Sequence, residues 1–196
     1  HAHVGGHFTV DQRAIRPQGP TDDLVWPDMG TLPHNMFADV SDGTRGIAFL
    51  NDSLMEYEVM DNAERTVALS LLRATRDWIC TEMRTFSVFP SQKGGQCLGP
   101  QQARYALYPH GGDWREGNVA GLAERFNVPV RPVQTRQHKG DLPAGEAALF
   151  AIEAPDLRFS ALKRAEDRGG YILRVHNPTG DDLTGSIRSH FAISQA

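Results

Sequence analysis

The stretch from Arg45 to Val59, RGIAFLNDSLMEYEV, does most to limit what this chain can fold into. A run that looks buried gives way to Asn51-Asp52-Ser53 and then to apolar and acidic residues in alternation. Strands show that period of two, because successive side chains point to opposite faces. The polar triplet predicts a turn between two short strands, with Asp52 at the tip. Another turn is predicted at Ser41-Asp42-Gly43, where aspartate precedes glycine. With 19 Gly and 12 Pro among 196 residues, such breaks recur along the whole chain. That favours short strands over long helices.

Further strands are predicted in HFTVDQRAI, RTVALSLLRAT, QQARYALYPH, VPVRPVQTR, AALFAIEA, FSALKRAED and YILRVHNPT, the last two joined by a hairpin at Arg168-Gly169-Gly170. The prolines between Arg16 and Pro33 mark a long surface connection. RTVALSLLRAT lacks polar alternation, as a central strand covered on both faces would. On that pattern Leu69, Leu71, Leu107 and Phe159 are expected in the core. One helix signal stands out, REGNVAGLAERF, where Val119, Leu122, Ala123 and Phe126 fall at helical spacing. Asp113 or Asn118 is placed to cap it. The expected fold class is all-β, a large, mainly antiparallel β-sandwich of eight to ten strands with one or two short helices.

A formal charge of -4 gives no pull towards nucleic acid or anionic lipid. No apolar run approaches the roughly 20 residues that cross a bilayer. The opening HAHVGGHFTV lacks the basic start and apolar core of a signal peptide. Cys80 and Cys97 are too few for a disulfide framework and fit no zinc spacing, so two thiols in a reducing, cytoplasmic setting are expected, with one disulfide as the alternative.

Four stretches then carry a resemblance. FADVSDGTRGIAFLNDSLMEYEV, VALSLLRAT, QCLGPQQARYALYPHGGDW and FSALKRAEDRGGYILRVHNPTG occur here in an order and at intervals that resemble the C-terminal region of glycoside hydrolase family 38 α-mannosidases, most closely the bacterial branch. HFTVDQRAI resembles the strand that leads into it. The resemblance implies a galactose-mutarotase-like supersandwich, with residues 1–154 forming the sandwich domain and 155–196 its completing strands or a small appended β unit. It also implies partners in the same polypeptide: an N-terminal catalytic barrel and a helical bundle, acting on an α-mannoside. The zinc and the two catalytic carboxylates would belong to that barrel, so no catalytic residue and no metal site is expected in this chain. Retaining hydrolysis needs two carboxyl groups about 5 Å apart across the sugar. Two departures concern loop shape. Met55 stands where the family has proline, and RATRDWICTEMRT replaces a Gly-rich continuation.

The candidate substrate-binding residues are Asp42, Arg45 and Asp52 at predicted turn tips, and Tyr108, His110, Asp113 and Trp114 in the YPHGGDW stretch. The resemblance implies that the β region closes one side of the cleft, and arginine's planar fork suits sugar hydroxyls or phosphate. Tryptophan can stack on a pyranose face. The bland reading of each is a turn residue, a solvated charge or packing between domains. Glu56 and Glu58 lie on one strand face about 6.5–7 Å apart, which reads as a solvated face. Two other functions stay open: a stand-alone carbohydrate-binding module, and a copper-dependent oxygenase using His1 in a copper brace. Only the first residue supports the brace, and the N-terminal histidines are expected to be disordered or to cross to a neighbour.

Overall fold

The computed structural model describes residues 1–15, 30–74, 78–80, 85–87, 94–141, 145–190 and 192–193. Twelve strands, one α-helix and a single 3-10 turn at Gly94–Gln96 are described, and every strand pairing is antiparallel. The strands are β1 (Ala2–Gly5), β2 (Val10–Arg13), β3 (Leu32–Ser41), β4 (Arg45–Val59), β5 (Val67–Leu69), β6 (Trp78–Cys80), β7 (Thr85–Ser87), β8 (Tyr105–Gly111), β9 (Phe150–Ile152), β10 (Arg158–Arg164), β11 (Tyr171–His176) and β12 (Ile187–Ser189). The helix α1 spans Val119–Asn127. No described helix is long and apolar enough to cross a membrane. The mainly antiparallel class with one short helix is the one the strand pattern predicts.

The large sheet runs β2-β1-β3-β4-β5, and β8 pairs with the first half of β4. β4 is its spine, and here the structure corrects the sequence reading. Asn51-Asp52-Ser53 is not a turn but the middle of one fifteen-residue strand. The buried Asn51 shares a 2.7 Å hydrogen bond with His34 Nε2, and its carbonyl accepts from Asn127 Nδ2 at 2.9 Å. Those partners replace the water a turn would have offered. The irregularity falls on the neighbouring strand instead, at a bulge between Asn35 and Phe37 where Met36 takes φ 65°.

Alternation along β4 divides the apolar residues between two faces. Ala48 and Leu50 face α1 and form a core with Phe37, Trp114, Val119 and Ala123. The opposite face carries a second core of Ala2, Val4, Ala38, Tyr57 and Val59. The N-terminal histidines are therefore not disordered, because β1 sits between β2 and β3 with Ala2 and Val4 buried. Four residues are too few to announce a strand, but Ala2 and Val4 alternate as a strand requires.

Three other expectations fail. RTVALSLLRAT is a three-residue edge strand, not a central one, and Leu71 beyond it is 50% exposed. Leu69 alone packs against a core, while Leu107 and Phe159 are more than half exposed. Residues 128–136 form no strand and are exposed, since Pro129 and Pro132 cannot donate to a ladder. A lack of polar alternation signals apolar surface without saying what covers it.

Strands from either side of Ala154 pair, β9 with β12 in register Ile152↔Ile187. The β10–β11 hairpin turns through Arg168 at φ 62°, as its sequence predicts. The predicted connection over 16–29 and most of RATRDWICTEMRT lie outside the described residues. Cys97 is a free thiol, half-buried, and the side chain of Cys80 lies outside the description.

Candidate functional site

The seven candidates do not form one site. Asp42 and Arg45 stand together at the β3–β4 turn. Gly43 adopts φ +87°, and Asp42 Oδ1 accepts from the backbone N–H of Thr44 (2.8 Å) and Arg45 (3.0 Å). These hydrogen bonds, the one from Arg45 first, hold the Asp42 carboxyl below its ordinary pKa. The turn is thus built by Asp42, and the Arg45 side chain, 87% exposed, projects from it with Nε 3.8 Å from Asp42 Oδ2. Both border an open groove of about 520 Å³, with Val40, Ser41, Ile47 and Arg65 among its walls. Arg65 had no signal in the sequence as a site residue; its side chain pairs with Asp61.

Asp52 lies seven residues from Arg45 along β4, roughly 23 Å at strand rise. It is no turn tip. Arg104 Nε donates to it at 2.9 Å, and the same guanidinium donates to the Phe126 carbonyl at 2.8 Å. Glu56 is likewise paired, with Arg73 at 2.7 Å.

The YPHGGDW residues point mostly inward. His110 and Asp39 are 1% and 0% exposed, and His110 Nε2 lies 2.7 Å from Asp39 Oδ1. Gly46 and Gly117 flank the imidazole so closely that a Cβ on either would stand within 2.6 Å of a ring atom. Tyr108 stacks on His110 with centroids 5.6 Å apart and donates to the Gly117 carbonyl at 3.2 Å. Trp114 is buried in the α1 core. Asp113 and Glu116 form a capping box ahead of α1: Asp113 Oδ1 accepts from the Glu116 N–H at 3.1 Å, and Glu116 Oε2 accepts from the Asp113 N–H at 3.2 Å. Asn118, the residue preceding α1, makes no cap hydrogen bond with its side chain.

Asp39 was missed in the sequence reading. Its only signal is a carboxylate in the apolar run FADVS, on the same strand face as Phe37. Desolvation raises its pKa, and the hydrogen bond and charge of His110 oppose that rise. His3, its cross-strand partner, is lowered by burial. His176 is also lowered, by burial first and then by Arg158 and Arg174.

A pH prediction follows from His176. A histidine with a lowered folded pKa is neutral in both states above about 6.5, so it costs nothing there. Below that value the unfolded chain takes up the proton more readily, and stability falls. The melting temperature should therefore drop from about pH 7.5 to 5.5, and the drop should shrink in His176→Gln. An unchanged drop would assign the effect elsewhere. Asp39 works in the opposite sense, since protonation relieves a buried charge.

Comparisons with known proteins agree on one family. Residues 156–196 match the family described as glycosyl hydrolases family 38 C-terminal beta sandwich domain. A Halalkalibacterium halodurans protein named "Putative mannosylglycerate hydrolase" is 30% identical over 192 residues, covering 95% of this chain and 20% of that protein. Alpha-mannosidase 2C1 of Mus musculus is 22% identical over 184 residues, covering 92% of this chain and 16% of that protein. The crystal structure of an alpha-mannosidase from Enterococcus faecalis superposes with a TM-score of 0.76 at 22% identity, over 96% of this chain and 20% of the other. A second Enterococcus faecalis structure, a glycosyl hydrolase family 38 protein, gives 0.71 at 24% identity with the same coverage. The chain thus spans 16% to 20% of the length of these curated relatives. The whole chain shares the fold of these structures, and its residues 156–196 belong to the C-terminal β-sandwich domain of glycoside hydrolase family 38.

Proposed function

We propose that this chain is the cleft-facing β region of a retaining α-mannosidase-type hydrolase. It packs on a catalytic barrel elsewhere in the polypeptide and offers the Asp42–Arg45 turn to a bound α-mannoside. The observation that carries this is Arg45 itself: a guanidinium held out over an open groove by a turn that Asp42 fixes. Its planar donors match sugar hydroxyls and anionic substituents. Residues 155–196 complete the β unit, a reading supported by the β9–β12 pairing and by Arg115, which bonds Asp156 at 3.1 Å and Asp181 at 2.9 Å.

The zinc that the resemblance implies does not fit here. Among the described residues no three His, Cys, Asp or Glu are placed to hold a metal. The zinc and the carboxylate pair of retaining hydrolysis are both assigned to the rest of the polypeptide.

Arg45→Ala in the longer polypeptide tests the reading. Hydrogen bonds to a charged group contribute about 1.5–3 kcal/mol. Catalytic efficiency on an α-mannoside should then fall at least about tenfold, since each 1.4 kcal/mol is a factor of ten. Stability should shift by less than about 0.5 kcal/mol, as at an exposed site. Unchanged kinetics would remove Arg45 from the cleft. The 196 residues alone should turn over no nitrophenyl α-mannoside, with or without zinc; turnover abolished by changing one of their own carboxylates would overturn the division of labour.

A further inference from the structure

The large sheet has two apolar faces, and among the described residues they are covered unequally. On the α1 side, Ala48 and Leu50 of β4 are buried with Phe37, Trp114 and Val119. On the other side the cover is uneven. Over β1 and β3 the residues Ala2, Val4 and Ala38 are almost wholly buried. Asn51, Tyr57 and Val59 of β4 are buried on it too, but over β8 and over Ile47 and Phe49 of β4 the same face is open among the described residues.

Register places five apolar residues side by side there. Phe49 pairs with Leu107, Ile47 with Pro109, and Asn51 with Tyr105, so their side chains share one surface. Leu107 is 55% and Tyr105 51% exposed, Pro109 is exposed, and Ile47 and Phe49 are half-buried. The groove lined by Val40, Ile47 and Arg45 opens on this same face. On the other face of β8, Ala106 and Tyr108 pack on the α1 core. Both faces of β8 are thus built as core faces, yet among the described residues one has no layer over it. Contiguous exposed apolar surface of this kind marks an interaction site.

We infer that the face formed by Ile47, Phe49, Tyr105, Leu107 and Pro109 is the seat of a further layer of the same polypeptide, contributed from outside these 196 residues. The length of the relatives argues for that occupant over a second copy. They align with nearly all of this chain and still carry about four-fifths of their length elsewhere. A tethered layer also meets this face at high effective concentration, which a separate copy does not. The inference rests on the proposed function only in placing more polypeptide beyond the chain. It requires nothing of the chemistry.

The test uses the longer polypeptide with Cys80→Ser and Cys97→Ser, carrying Leu107→Cys, and measures alkylation by iodoacetamide. A covered thiol reacts only through local opening, so the native rate should be about a hundredfold below the rate in denaturant. A native rate within a few-fold of the denatured one overturns the inference. So does protection that vanishes on dilution from dimer to monomer, which would assign the face to a second copy. A gene product of no more than these 196 residues overturns it outright. Should Leu107→Cys fail to fold, hydroxyl-radical footprinting of Tyr105 in the unaltered polypeptide reads the same face, with strong native protection expected and none overturning it. Mannosidase activity of the same preparation decides the functional reading separately. A protected face in an inactive protein would keep this inference and remove the other.

Discussion

Replacing His110 with alanine is expected to destabilise the fold by about 3–5 kcal/mol, the cost of leaving a buried charge without its partner. Asp39 is fully buried, its Oδ2 has no hydrogen-bond partner among the described residues, and His110 is the main support of its carboxyl, with Ser41 a lesser one. Taking the imidazole away leaves a carboxylate that must either stay charged in a dry site or take up a proton. The double variant Asp39→Ala/His110→Ala removes both groups and should cost less than the sum of the single changes. Urea unfolding of the three variants gives the coupling energy. Additive losses would show that His110 is held by packing alone between Gly46, Gly117 and Tyr108. The choice matters for function as well, because a structural Asp39–His110 pair leaves no imidazole for a sugar.

Phe37→Ala should cost about 3–5 kcal/mol, the range for deleting a buried aromatic ring. Phe37 is 2% exposed and joins β3 to the core under α1, where Ala48, Leu50 and Val119 surround it. The backbone of Gly5 approaches it so closely that a Cβ there would lie 3.2 Å from the ring. The site therefore cannot collapse cheaply when the ring is lost. Leu71→Ala provides the contrast. A strand without polar alternation argues for a core position and a cost of about 2–5 kcal/mol, but Leu71 is half exposed beyond the end of β5. Its truncation should cost less than about 1 kcal/mol. Equal losses at Phe37 and Leu71 would mean that a partner also covers Leu71.

The local features that announced themselves in the sequence are those settled within a few residues. Asp42-Gly43 made its turn because the aspartate side chain satisfies two backbone donors and glycine accepts a positive φ. Arg168-Gly169-Gly170 closed the β10–β11 hairpin for similar reasons. Val119, Leu122, Ala123 and Phe126 formed a helix whose apolar face meets the sheet, because a 3.6-residue period can be read from sequence. The antiparallel β class followed from the same local rules, and the four ordered motifs carried the resemblance to family 38.

Tertiary structure decided what those rules leave open. Asn51-Asp52-Ser53 has turn chemistry, yet it runs straight through β4, because His34, Asn127 and Arg104 approach from distant parts of the chain and satisfy it there. Asp39 and His110 are 71 residues apart in sequence, and only the register of β3, β4 and β8 brings them to 2.7 Å. That same register turned His110 from a candidate sugar ligand into a buried partner, and left Arg45 and Asp42, of the seven candidates, at the groove. Leu107 shows the limit most plainly. Its strand was legible, and so was its apolar face. What covers an apolar face depends on which other surface packs against it, and no local pattern in 196 residues records that.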